Sequence, residues 1–164
     1  MLDPLIIVIL TYLHVASAIG WLGGAVLFIS VVTPGLKTLS PPASLEFLVK
    51  VAPKVTRFFL GIATATIVFG LALFFSLAGS FPGNGIYIGL SLGLIAYLIA
   101  LGVTVPTFRK ADRLAKEIMA GGQAGTAPAE LAATMKRAGM AATIVVILLL
   151  LALIFMVSSG SGYY

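Results

Sequence analysis

Four apolar runs, at about 5–32, 55–78, 86–108 and 140–157, constrain this chain more than any other feature. Each approaches or exceeds the ~20 apolar residues that a helix needs to cross the hydrocarbon layer of a bilayer. None contains an Asp or a Glu. In hydrocarbon the backbone must satisfy its own N–H and C=O groups, and for runs of this length the α-helix does so within the segment. Composition agrees: 60% of the 164 residues are hydrophobic and 9% are charged, against about a quarter charged in an average soluble domain. The predicted fold is all-α: a single polytopic membrane domain of four transmembrane helices packed as an antiparallel bundle. The first run is read as a span and not as a secretory leader. No basic residue precedes it, it is too long, and no small-residue cleavage pattern follows it.

The connections differ in character. In "TPGLKTLSPPASLEFLVKVAPKVTR", Ser40 followed by Pro41 and Pro42 predicts a helix start, because proline suits a first turn whose N–H needs no partner. A short interfacial helix to about Val51 follows, and Pro53 then opens or kinks the second span. "AGSFPGNGIY" is short and uncharged and reads as a tight turn on Pro82, Gly83, Asn84 and Gly85. The third connection is long and polar. A cytoplasmic helical extension over about 109–139 continues the third span, breaks at "GGQAGTAP", restarts near Thr126 and Pro128, and runs into the fourth span. Pro106 is expected to kink the third helix.

Charge placement orients the chain. Lys37, Lys50, Lys54 and Arg57 lie on the first connection; Arg109, Lys110, Arg113, Lys116, Lys136 and Arg137 lie on the third. Together they account for all ten Lys and Arg residues. Cytoplasmic loops are the ones enriched in Lys and Arg. With four spans both basic connections fall on one side, so both termini are predicted outside. The net charge of +5 is thereby explained by topology and attraction to anionic lipid rather than by nucleic-acid binding. With no cysteine there is no disulfide and no thiolate metal site. One His and no acid within the spans leave hydrolase chemistry without its parts.

The first span carries the only His and the only Trp, inside "LTYLHVASAIGWLGGAVLF". At 100° per residue Leu10, His14, Ser17, Ala18, Trp21, Ala25 and Phe28 share one face. Beside it runs a stripe of small residues, Ala16, Gly20 and Gly24, with Gly23 adding to it. Such a stripe admits a close neighbour, either a second helix, including one from a homodimer partner, or a flat ligand. His14 lies about 14 Å along the helix from Leu5 at 1.5 Å per residue, near the midplane, where an ionisable group should face the bundle interior. No carboxylate is available to balance an imidazolium there, so the imidazole is expected neutral, with one lone pair for a metal. Three readings stay open: an axial ligand to haem iron, part of a copper site, or a structural residue hydrogen-bonded to a neighbouring helix. Met1, Met119, Met135, Met140 and Met156 form no dense thioether set of the kind soft copper favours.

Lys54 and Arg57 lie one turn apart at the cytoplasmic mouth of the second span, as snorkelling anchors or an anion clamp. Trp21 fits packing and a cofactor neighbour equally. Thr64, Thr66, Ser91 and Thr104 are candidate interhelical hydrogen-bond donors. Tyr87 reads as an interfacial residue and Tyr97 as a packing residue.

"LHVASAIGWLGGAVLFISVVTPGLKTL", with its Leu-His pair, its Trp and its paired glycines, resembles the opening of the CopD-like four-helix membrane proteins. It is similar also to the HemJ-type membrane protoporphyrinogen oxidases, which share an early His and Trp on the first helix. The likeness covers about residues 13–60, including the start of "PKVTRFFLGIATATIVFGLAL" as the second helix. It implies a haem b group in a prokaryotic plasma membrane protein, with His14 as axial ligand, Trp21 as its neighbour and Lys54 or Arg57 as a basic partner. Gly20, Gly24 and Ser17 would then flank the group. The function so implied is redox or electron transfer with a membrane partner, as an oxidoreductase of the protoporphyrinogen oxidase type. The CopD-like side of the resemblance implies copper handling or small-solute transport instead. A non-catalytic accessory membrane subunit is the third class.

Overall fold

The computed structural model of the chain describes residues 3–77, 84–121 and 129–160. Pro82, Gly83, Thr126 and Pro128, read above as turn and helix-start residues, lie outside them. The described residues form helices without a strand. We number them α1 (Pro4–Leu36), α2 (Pro41–Lys50), α3 (Ala52–Ser76), α4 (Gly85–Ala120) and α5 (Ala129–Gly160). All but α2 are long and apolar enough to cross a membrane.

Asp3, a start signal not singled out from the sequence, caps α1, its carboxylate accepting from the Leu5 N–H at 2.8 Å, with Pro4 as the first helical residue. The signals read from the sequence act as expected at α2 and α3. Ser40 precedes α2 with an extended backbone and Pro41 opens that helix. Pro53 lies in the first turn of α3 and opens it rather than kinking it. Pro34 and Pro106 fall inside α1 and α4. Each follows a five-residue π-helical stretch, Phe28–Val32 and Ala100–Thr104. A proline ring strikes the carbonyl four residues back. Widening the turn moves that carbonyl aside, so the helix runs on past Pro106.

α1 lies along α3 and α4 along α5, and the two hairpins pack together. Midway through the bundle one buried residue from each long helix meets the others: Trp21, Ala63, Ala96 and Val145. A second core forms where all ten basic residues cluster. There Leu45 and Leu48 of α2 pack on Ala52 of α3, on Ala111, Ala115 and Ile118 of α4, and on Leu131 of α5. Lys110 on α4 pairs with Glu130 on α5 at 2.8 Å, tying the extension together. Lys50 donates to Glu46 one turn back on α2, which holds the Glu46 carboxyl below its ordinary value. Outward-facing side chains are large and apolar along the spans, with Tyr12, Phe75 and Leu98 each more than half exposed. In a bilayer that surface meets acyl chains.

Backbone meets backbone between α4 and α5. Gly85, Gly89 and Gly93 recur every fourth residue on the buried face of α4. A Cβ at Gly85 would stand 2.6 Å from the Phe155 carbonyl oxygen, and one at Gly89 would stand 3.0 Å from that of Ala152. These neighbours are backbone and cannot swing away. Gly61 of α3, by contrast, has nothing within 4 Å of its missing Cβ. Gly85→Val should therefore cost about 1–3 kcal/mol by overpacking, read as a lower thermal midpoint in detergent. Gly61→Ala should leave the midpoint unchanged or raise it. Equal midpoints for the two variants would contradict the packing described.

Candidate functional site

His14, Ser17 and Trp21 turn inward together, as their shared face predicts. Ser17 and Trp21 are buried and His14 is half-buried. Ser17 spends its hydroxyl on its own helix, donating to the carbonyls of Leu13 (2.7 Å) and His14 (3.0 Å).

His14 Nδ1 lies 2.9 Å from the backbone carbonyl oxygen of Thr66 on α3. A carbonyl can only accept, so Nδ1 carries a proton, and in the neutral imidazole the lone pair is then on Nε2. Such a carbonyl in mid-helix is reachable because Gly70, four residues on, has no side chain to cover it. A Cβ at Gly70 would stand 2.8 Å from His14 Cε1 and 3.0 Å from Nδ1. Thr66 and Gly70 together form the seat for the imidazole. Sequence reasoning had Thr66 as a side-chain donor between helices. Its hydroxyl in fact turns back to Ile62 at 2.9 Å, and its backbone does the work.

The seated ring lines a cleft of about 450 Å³ between the two hairpins, in the half of the bundle away from the basic residues. That size falls in the range of about 300–1,000 Å³ usual for small-molecule sites. Its walls are mostly apolar: Leu22, Ile67, Leu73, Leu90, Leu149 and Met156 among them, with small residues Ala18, Gly70, Gly93 and Ala152 giving it width. Trp21 forms its inner limit and also borders a smaller cavity of about 90 Å³ beyond, shared with Phe28, Phe59 and Phe108. The Trp21 indole stands edge-on to Tyr97, ring centroids 6.4 Å apart. Tyr97 shares a hydrogen bond of 2.8 Å with Thr64. Trp21 and Tyr97 thus close the cleft toward the basic end.

The other residues singled out from sequence sit elsewhere. Gly20 and Gly24 do not line the cleft; they face α3 and admit Ile62 and Phe59. A Cβ would stand 2.3 Å from Ile62 Cδ1 at Gly20 and 3.0 Å from Phe59 Cε1 at Gly24. At Gly20 and Gly24 the stripe expected to take a flat ligand or a close helix is filled by a helix of the same chain, while Ala16 and Gly23 stay exposed. Lys54 and Arg57 are exposed in the first turns of α3, with Arg57 Nε donating to the Pro53 carbonyl at 3.3 Å. Arg57 lies thirteen residues from Gly70, about 20 Å at 1.5 Å per residue. The structure does not bring either to His14. Of the other hydroxyls, Ser91 bonds within its own helix to Tyr87, and Thr104 Oγ1 is buried without a hydrogen-bond partner. Tyr87 is partly exposed and stacks edge-on against Phe74 at 5.5 Å.

No family model, curated protein or solved structure matches the chain. Among the described residues no three His, Cys, Asp or Glu side chains come together as a metal-ion cluster. The site is therefore one imidazole in an apolar cleft, with its ring orientation set by a backbone carbonyl.

Because the chain has a single His, the imidazole nitrogens can be observed without ambiguity. In ¹⁵N spectra of the detergent-solubilised protein, His14 should show the neutral form protonated on Nδ1. Gly70→Ala should displace the ring and lose that pattern, at a cost of about 0.5–1.5 kcal/mol for the hydrogen bond. An Nε2-protonated ring in the unaltered protein would contradict the assignment.

Proposed function

We propose that this chain is a membrane haem b protein with a redox or electron-transfer role, whose iron His14 Nε2 would hold. One observation carries the reading: His14 gives its Nδ1–H to a carbonyl and leaves Nε2 on the wall of a roomy apolar cleft. That is how metal-bound histidines are ordinarily held, since the hydrogen bond fixes the tautomer and raises the basicity of the ligating nitrogen. A structural histidine needs the hydrogen bond but not the cleft. The residues fit the group: one nitrogen donor, mostly apolar walls, and glycines and alanines where width is needed.

When bound, haem supplies a one-electron couple whose potential depends on ligand identity, burial and hydrogen bonding. The chain's own residues do the rest. Thr66 orients the imidazole and Gly70 leaves it room. Trp21 and Tyr97 close the site toward the basic end and keep water from that side. Low polarity around the site favours the less charged oxidation state of whatever is held there. Lys54 and Arg57 serve the membrane boundary rather than the cleft. The same reading places the basic end in the cytoplasm of a prokaryotic cell, both termini outside, and the electron donor or acceptor in or on the membrane.

A visible spectrum of the detergent-purified protein, oxidised and then reduced with dithionite, tests the reading. A Soret band that is lost in His14→Ala, while the variant stays folded by circular dichroism, is the expected result. A colourless protein from haem-replete cells would overturn it. Orientation has its own test, since the chain lacks cysteine. An impermeant maleimide added to intact spheroplasts should label Asn84→Cys and spare Ser40→Cys. The opposite pattern would reverse the topology.

A further inference from the structure

One imidazole would give the iron one protein donor, and the cleft offers a second. We infer that Met156 of α5 would supply it through Sδ, from the same cleft that His14 lines, an inference that rests on the haem reading above.

The lining chemistry narrows the choice. Thr11 and Thr66 reach the cleft, but their hydroxyls are committed to the carbonyls of Ile7 (2.8 Å) and Ile62 (2.9 Å). The Trp21 indole can donate but not ligate. Among the described residues around the cleft, His14 Nε2 and Met156 Sδ are the donors to iron that remain. Histidine with methionine is an established axial pair, and the thioether raises the reduction potential.

Position agrees. Met156 packs where α4 has no side chain: a Cβ at Gly89 would stand 2.5 Å from Met156 Cγ and 3.1 Å from Cε. Phe74 against Tyr87 fixes the relative height of α3 and α4. Gly70, which seats His14, lies four residues below Phe74, and Gly89 lies two residues below Tyr87. At 1.5 Å per residue the two seats differ in depth by about 3 Å. Helical side chains lean toward their own N-terminus, so Met156 on the outward-running α5 leans inward, toward the level of His14. The thioether is half-buried and its chain is unbranched, so it can adjust its reach.

Met156→Leu is the test, because it keeps volume and apolarity while removing the sulfur. In the full-length protein purified in detergent, the variant should keep its haem. The oxidised form should shift from low-spin to high-spin by electron paramagnetic resonance. The reduced form should gain carbon monoxide binding that the unaltered protein lacks, and the midpoint potential should fall. Met156→His should restore a low-spin spectrum at a potential below that of the unaltered protein. Should Met156→Leu lose haem outright, Met156→His decides: recovered low-spin haem supports the assignment and continued loss overturns it. Haem that is lost in His14→Ala but keeps its spin state and potential in Met156→Leu overturns this inference alone. A protein without haem in any form overturns the parent reading with it.

Discussion

Lipid removes the usual reward for burying one apolar side chain against another, because an acyl chain is as good a neighbour as a leucine. Contact in this bundle therefore has to come from shape. Glycine supplies it twice. Gly85 and Gly89 let α5 come down onto the backbone of α4, and Gly20 and Gly24 let Ile62 and Phe59 of α3 sink into α1. The large side chains that these contacts displace face outward, toward the solvent that prefers them. Each hairpin is thus closed tightly by small residues. What lies between the hairpins is left to whatever side chains meet there.

The cleft follows from that division. In the middle of the bundle Trp21, Ala63, Ala96 and Val145 meet and leave little room. In the half away from the charges the facing positions are Ala18, Gly70, Gly93 and Ala152, and the hairpins do not fill the space between them. His14 stands at the edge of this gap. A lone imidazole in hydrocarbon is costly unless its N–H is satisfied. The Thr66 carbonyl satisfies one nitrogen, and among the described residues the other meets only the open cleft. A histidine kept for structure alone could have been a threonine, which bonds its own helix as Thr11, Thr64 and Thr66 do here.

Much of this was legible in the sequence because the period of the helix carries it. The inward turn of His14, Ser17 and Trp21 follows from their spacing, and the starts of α2 and α3 follow from Ser40 with Pro41 and from Pro53. The four spans follow from run length alone. The partner of His14 was not legible. It is a backbone carbonyl, which every residue has, and it is exposed only by a glycine one turn later and by the register of α1 on α3. The glycine stripe of α1 told that something comes close but not what. Only the packed structure shows Ile62 and Phe59 there. The spacing of Gly85 and Gly89 carried the same signal in plain view and marks a backbone approach of α5.

The two π-helical stretches bound the region where such face arguments hold. A π turn adds one residue, and one residue rotates the following face by roughly 100°. On α1 the regular helix ends at Leu27, and on α4 it ends at Ile99. Every residue of the proposed site lies on the side of those points away from the basic end, on uninterrupted helix. Beyond them the faces are reset. Phe28 meets both Phe59 and Phe108 edge-on, at 6.3 and 6.2 Å, and the helices continue into the basic end with a different set of neighbours. Each stretch begins six residues before its proline, in the first helix of each hairpin. The prolines therefore let one helix serve two environments: a half away from the charges whose register seats His14 against Gly70, and a half at the basic end whose register packs α2 and the charged extension.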